Sequence, residues 1–166
     1  MWIRDSRPEE AGALAGVFWR AVREGPSPYA EAARAAWAPH RPSAGDFARR
    51  LDGLETVVAE VEEIIGFMAM DAAGNLDLAF VLPTHRGQGV ADRLYAVLES
   101  RARARQLPVL TTRASLMARP FFANRGWRVV APDPLIRGGI VLDRVAMEKR
   151  LVARTLAFSG ANGRIA

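Results

Sequence analysis

Hydrophobic and polar positions follow a helical period in the first third of the chain and a strand period in most of the rest. Met1 to Arg4 is a short apolar run that fits a first strand. Leu14, Val17, Phe18, Ala21 and Val22 then recur at helical spacing up to Gly25-Pro26. Ser6, with Pro8 close behind and Glu9 three residues on, predicts a capping box for that helix. Pro26-Ser27-Pro28 breaks the chain, Tyr29 to Trp37 predicts a short alanine-rich helix, and Asp46 to Leu51 predicts another helical turn or two.

From Thr56 the pattern changes to strands: Thr56 to Val61, Ile64 to Met70 and Leu76 to Val81, joined by Glu62-Glu63 and by Asp71-Ala72-Ala73-Gly74-Asn75. Connections this short make an antiparallel meander. Val90 to Arg105 is a strongly amphipathic helix, with Leu94, Val97 and Leu98 facing inward. Val109 to Thr112 reads as a strand, Phe121 to Arg125 as a short helix stopped by Gly126, and Trp127 to Val130 and Val141 to Met147 as late strands. The expected class is α+β, with about seven strands in a mixed, mostly antiparallel sheet flanked by helices.

Composition narrows the chemistry. The chain has 166 residues, no cysteine and two histidines, His40 and His85. The length fits one domain, read as residues 1–151, with a weakly ordered tail over 152–166. Disulfides, thiolate metal sites and a cysteine nucleophile are excluded, and no metal site is expected. No apolar run reaches the roughly 18 residues of a membrane span, so a cytoplasmic protein without membrane attachment is expected. The net charge is +5 and the sequence pI about 10.8, carried by 22 arginines and one lysine, Lys149. Those arginines are scattered from Arg4 to Arg164, and Arg101, Arg103 and Arg105 fan around their helix rather than forming a stripe. A nucleic-acid partner is therefore not expected. Compositional bias accounts for most of the charge, leaving a few arginines to face an anionic ligand.

Arg86-Gly87-Gln88-Gly89-Val90-Ala91 lies between a strand and the long helix. Small residues at a helix N-terminus leave backbone N–H groups free and approachable, and the helix dipole favours negative charge there. Such a loop suits phosphate; a tight turn with glycines for geometry alone is the alternative. A Walker loop needs Lys-Ser or Lys-Thr where Val90-Ala91 stands. A dinucleotide fingerprint needs glycine where Asp92 stands.

The run Val81-Leu82-Pro83-Thr84-His85-Arg86-Gly87-Gln88-Gly89-Val90-Ala91, with Leu94 after it, resembles the acetyl-CoA signature of the GNAT superfamily of N-acyltransferases. Ala114 to Trp127 resembles that family's later strand, short helix and Gly-aromatic exit, and with Gly139 to Leu142 and Met147 to Lys149 it is similar to a YafP-like subgroup. The likeness covers roughly residues 1–151. It implies a sheet opening into a V around acetyl-CoA as cosubstrate, and direct acetyl transfer to a primary amine of a small molecule or peptide. A CoA-binding sensor of the same fold, without catalysis, is the alternative, and a homodimer is compatible with the family.

The resemblance also assigns roles. Phe80 and Val81 would pair their backbone with the pantetheine arm, and the amides of Arg86, Gly87, Gln88, Gly89, Val90 and Ala91 would hold the pyrophosphate. Phe122 and Asn124 would border the cofactor, and Arg125, with Arg119 as a further possibility, would reach a phosphate. Many members carry tyrosine at the position of Phe122 to protonate the departing thiolate, a step phenylalanine cannot perform. Ser115 is then a candidate donor or simply a helix cap. Asp77 is the leading general base, or else a strand-end acid paired with an arginine; Glu60 on the neighbouring strand is the second base. Tyr29 and Trp37 would line the acceptor pocket or anchor a short helix, with Trp127 or Arg137 opposite.

Overall fold

Residues 1–151 are described by a computed structural model of the chain, and the proposed tail over 152–166 lies outside the described residues. Seven strands form one sheet in the order β1-β2-β3-β4-β5-β9-β6: β1 (Trp2–Asp5), β2 (Glu55–Glu60), β3 (Ile64–Met70), β4 (Asn75–Val81), β5 (Val109–Ser115), β6 (Arg128–Pro132) and β9 (Arg144–Arg150). A separate hairpin is made by β7 (Leu135–Arg137) and β8 (Ile140–Leu142). The helices are α1 (Ala11–Arg23), α2 (Glu31–Trp37), α3 (Ala44–Leu51), α4 (Val90–Ala104) and α5 (Arg119–Ala123). This is the expected α+β arrangement, antiparallel throughout except between β4 and β5. No helix of the described residues is long and apolar enough to cross a membrane.

Strand periodicity sorts the core into two layers. Phe67 stacks edge-on against Phe47 of α3, while the preceding Gly66 lies where an added Cβ would come within 3.2 Å of Val90 of α4. Successive strand residues point to opposite faces, so α1 and α3 cover one side of the sheet and α4 the other. Phe18, Phe47, Phe67 and Phe80 form the aromatic half of the first layer. Leu94 and Leu98, fully buried, anchor α4 in the second.

Two features open the sheet. The register between β3 and β4 runs Ala69 to Leu78 and then Met70 to Leu76, so Asp77 is an extra, bulged residue. On its other edge β4 pairs with β5 only at Asn75–Thr111 and Leu76–Thr112. At that last rung the buried Thr112 hydroxyl donates to the Leu76 carbonyl at 2.7 Å. Beyond it the strands diverge, and β5 continues along β9 instead.

Several boundaries differ from the periodicity. The capping box is built by Glu10, not Ser6 and Glu9: Glu10 Oε2 accepts from the Arg7 amide at 2.8 Å around a 3-10 turn over Pro8–Glu10. Ser6 instead donates its amide to Thr56 O at 2.9 Å, prolonging the β1–β2 ladder. The strand expected over Val141 to Met147 is two strands broken at Asp143, and β7 appears between Pro134 and Gly138, where turn chemistry dominates the sequence.

Much of the positive charge is neutralised locally. Arg101 reaches Asp5 at 2.7 Å and Glu55 at 2.6 Å, Arg105 reaches Glu55 at 2.5 Å, and Arg103 reaches Glu99 at 2.5 Å. Arg101 and Arg105 thus tie that helix to β1 and β2, while the Arg103–Glu99 pair stays within it. Arg4 bridges Glu10 at 2.7 Å and Glu60 at 2.8 Å, and its hydrogen bonds hold both carboxyls below their ordinary value of 4.5.

A carboxyl whose pKa is depressed on folding contributes stability above its unfolded value, lost as pH falls through and below that value. The urea midpoint should therefore drop as pH falls below about 4.5, and Arg4→Met should flatten that acid dependence. Thr112→Val leaves Leu76 O without its buried donor and should cost about 1–3 kcal/mol, read as a lowered urea midpoint.

Candidate functional site

The divergence of β4 from β5 leaves a cleft with two chambers. The first, about 400 Å³, is lined by Met68, Ala79, Phe80 and Val81, by His85 to Gly87 and Gly89 to Asp92 of the loop, by Ala21 and Val22 of α1, and by Tyr29, Arg34 and Met117. The second reaches toward α3 and the β7–β8 hairpin and is lined by Asp46, Arg50, Asp77, Arg113, Arg137 and Arg144 among others. Trp37, Ala79, Phe80, Ser115, Ala118 and Phe122 line both chambers and so mark their junction.

The loop at the mouth of the first chamber is built to receive an anion. Pro83–His85 form a 3-10 turn, and Gly87 and Gly89 adopt left-handed backbone with φ of 74° and 76°. Gly89 is the N-cap of α4. Among the described residues, none of the N–H groups from Gly87 to Asp92 donates to another group of the chain. A Cβ built at either glycine meets nothing within 4 Å, so open space faces the loop. Free amides, a helix N-terminus and room in front of them fit a pyrophosphate. Gln88 is turned away, its side-chain amide donating to Thr84 O at 3.0 Å.

Arg86 plays a different part from the one its sequence position suggests. Its guanidinium donates to Ala21 O at 2.6 Å and Pro26 O at 3.2 Å, the carbonyls at and after the end of α1. Burial, with Arg34 nearby, lowers its pKa. Arg34 adds bonds to Val22 O at 2.7 Å and Gly25 O at 3.2 Å. Two arginines thus cap the carbonyl end of α1 and pin the α1–α2 connection against the loop. Gly25, with φ of 71°, sits there so close to Pro83 that a Cβ would approach its ring to 2.7 Å.

The remaining predicted residues divide clearly. Phe80 and Val81 lie on β4 where its β5-facing edge has left the ladder, and Phe122 is fully buried at the junction against Trp127 and Phe121. Ser115 is also at the junction, and its hydroxyl accepts from the Ala118 amide at 3.1 Å, so it caps the turn into α5. Asp77 opens into the second chamber, 3.2 Å from Arg50. Tyr29 and Trp37 stack edge-on and both face the first chamber.

Others stand apart from both chambers. Glu60 lines neither, being held by Arg4 near the outer edge of the sheet. Asn124 is an exposed residue at the end of α5, and Arg119 is exposed as well. Arg125 lies over the Phe121 ring at 3.6 Å and pairs with Asp92, which directs its charge to the first turn of α4. Trp127 is core, donating its indole N–H to the Tyr95 hydroxyl at 2.9 Å; only Arg137 of that pair faces the second chamber.

One feature escapes the sequence. The Tyr29 hydroxyl donates to Asp143 O at 2.5 Å and accepts from the Leu116 amide at 3.0 Å. It joins the α1–α2 connection to the ends of β5 and of the β7–β8 hairpin, and burial raises its pKa, keeping the phenol neutral. No local pattern announces a bond between residues 29 and 143.

An acetyltransferase (GNAT) domain family matches residues 26–151. A GCN5-related N-acetyltransferase from Rhodopseudomonas palustris, further described as "Aminotransferase, Class-II", is similar at 30% identity and a TM-score of 0.83, over 90% of this chain and 95% of that one. A ribosomal-protein-alanine N-acetyltransferase from Brucella melitensis (20% identity, TM-score 0.71, 91% of this chain and 100% of that one) shares the fold. So does a phosphinothricin acetyltransferase from Sinorhizobium meliloti in complex with AcCoA (19%, TM-score 0.69, 90% and 88%). No curated protein matches the chain. With the family matched over most of its length and the forked sheet in place, the chain belongs to the GNAT acetyltransferase domain family.

Proposed function

We propose that the protein is an acetyl-CoA-dependent N-acetyltransferase that moves the acetyl group directly onto a primary amine. The observation that carries this reading is the run of unpartnered amides from Gly87 to Asp92 at the mouth of a chamber that ends beside an unpaired strand edge. Acetyl-CoA, which the Sinorhizobium relative holds, supplies an activated thioester. The amides of Gly87 to Ala91 take its pyrophosphate, with Arg86 acting by holding the loop in place. The free edge of β4 at Phe80 and Val81 takes the pantetheine arm, and the junction at Phe80, Ser115 and Phe122 takes the acetyl group.

The acceptor enters by the second chamber, where Asp77 is the carboxylate closest in sequence to the junction strand residues. An ammonium must lose a proton before it can attack, and Asp77 or a water it orients accepts that proton. The amine nitrogen then bonds to the acetyl carbon, the carbon–sulfur bond breaks, and CoA leaves as a thiol after gaining a proton. Phe122 offers none, so that proton comes from water or a hydroxyl such as Ser115. Membership of the YafP-like subgroup is part of this proposal and rests on the Ala114–Trp127 block together with Gly139 to Leu142 and Met147 to Lys149. A CoA-binding domain without turnover is favoured by Phe122 alone.

Calorimetry should show saturable acetyl-CoA binding, and Gly89→Val, which forces a β-branched residue into left-handed backbone at the helix cap, should weaken it at least about tenfold. No binding at millimolar acetyl-CoA overturns the reading. Binding without thiol release across a wide amine panel leaves the sensor alternative. With an acceptor in hand, Asp77→Asn should lower turnover about a hundredfold and flatten its pH dependence; an unchanged pH–rate profile removes Asp77 as the base.

A further inference from the structure

The second chamber carries its charge in two separate places. On the wall formed by α3 and β4 stand Asp46, Arg50 and Asp77. Arg50 is 3.2 Å from Asp77, and Asp46 pairs with Arg49. On the opposite wall β5, β7 and β9 present Arg113, Arg137 and Arg144. These face one carboxylate between them, Asp133, at 3.3 Å from Arg113 and 2.9 Å from Arg144. Arg137 makes no hydrogen bond or ion pair among the described residues.

The backbone that carries Arg137, an exposed residue, is braced. On β7 the alternate residue Ile136 is 68% exposed on the outer face, which turns Leu135 and Arg137 toward the chamber. Gly138 and Gly139, with φ of 54° and 78°, close the hairpin tightly behind it. Buried Leu142 and the Tyr29 bond to Asp143 O fix the returning strand to the junction side of the cleft. An unneutralised guanidinium on a braced hairpin is a fork for a carboxylate, which it binds through two parallel N–H···O bonds.

Building on the acetyl-transfer reading, we propose that the acceptor is a free α-amino acid. Its amino group comes to the junction on the Asp77 side and its carboxylate is bound by Arg137, with Arg113 beside it. The amine forms the new amide bond and loses its proton, while the carboxylate passes through the reaction unchanged. A polyamine would meet the surplus of cations on this wall, and a peptide N-terminus would set a neutral amide against Arg137. Both are disfavoured by the charge that lines the chamber.

Thiol release from acetyl-CoA tests this with matched acceptors: α-amino acids, their primary amides as stand-ins for a peptide N-terminus, and the amines lacking the carboxyl group. The acids should show kcat/KM at least about tenfold above the other two, the scale of one charge-assisted hydrogen bond. Arg137→Gln should remove the preference by raising KM for the acid toward that of the amide, and Arg137→Lys should restore part of it. Equal use of acid and amide, a preference for the amide, or a preference that survives Arg137→Gln overturns the proposal. If acetyl-CoA binds and no amine releases thiol, acetyl transfer itself fails. The anion site is then judged by calorimetry of N-acetyl amino acids against their amides on CoA-loaded protein. Selective binding of the acids, lost in Arg137→Gln, supports it, and equal or absent binding overturns it.

Discussion

Everything functional in this fold depends on where β4 and β5 part. The two strands share only the rungs at residues 75 and 76, and the Thr112 hydroxyl fastens the last of them to Leu76 O. A parallel pair continued in register would fill the sheet and leave no cleft. Divergence at that point gives β4 an edge with unpaired peptide groups, next to the Asp77 bulge that its pairing with β3 creates. The two chambers meet there, sharing Ala79 and Phe80 of β4 and Ser115 of β5.

The elements on either side serve to hold that fork open. Phe18, Phe47, Phe67 and Phe80 pack one face, while α4 is drawn onto the other by Leu94 and Leu98 and tied to β1 and β2 by Arg101 and Arg105. The second tie crosses the cleft: one phenol, Tyr29, links three segments by two bonds. Two bonds on one hydroxyl, each demanding its own direction, favour a single arrangement of the three segments.

The helices and the central strands were legible because their periods are strong; the β2–β3–β4 meander follows directly from alternating residues and short turns. The glycine loop was legible for the same reason, since left-handed backbone at a helix start demands particular residues. What escaped is non-local. The divide at Asp143 and the short β7 depend on what those segments pair with. The bulge at Asp77 depends on its neighbour β3, and the alternation of β4 alone gives no sign of it. Charge misled in the same way: Arg86 and Arg125 stand in sequence where phosphate ligands would, yet Arg86 is engaged by helix carbonyls and Arg125 by Asp92. A sequence shows that a cation is near a site but not which acceptor reaches it first.

The capture of Arg86 by the end of α1 bears on how this loop would respond to ions in solution. A guanidinium that grips a phosphate is screened by added salt, and its contribution fades as the Debye length shortens from about 10 Å at 0.1 M ionic strength to about 3 Å at 1 M. Neutral peptide amides carry only partial charges, act at contact distance and offer no mobile charge for counterions to compete with. By committing its arginine to the scaffold, the loop leaves its grip to the backbone, and added salt would act on a seated anion through the partial charges of the helix terminus rather than through a full cationic partner.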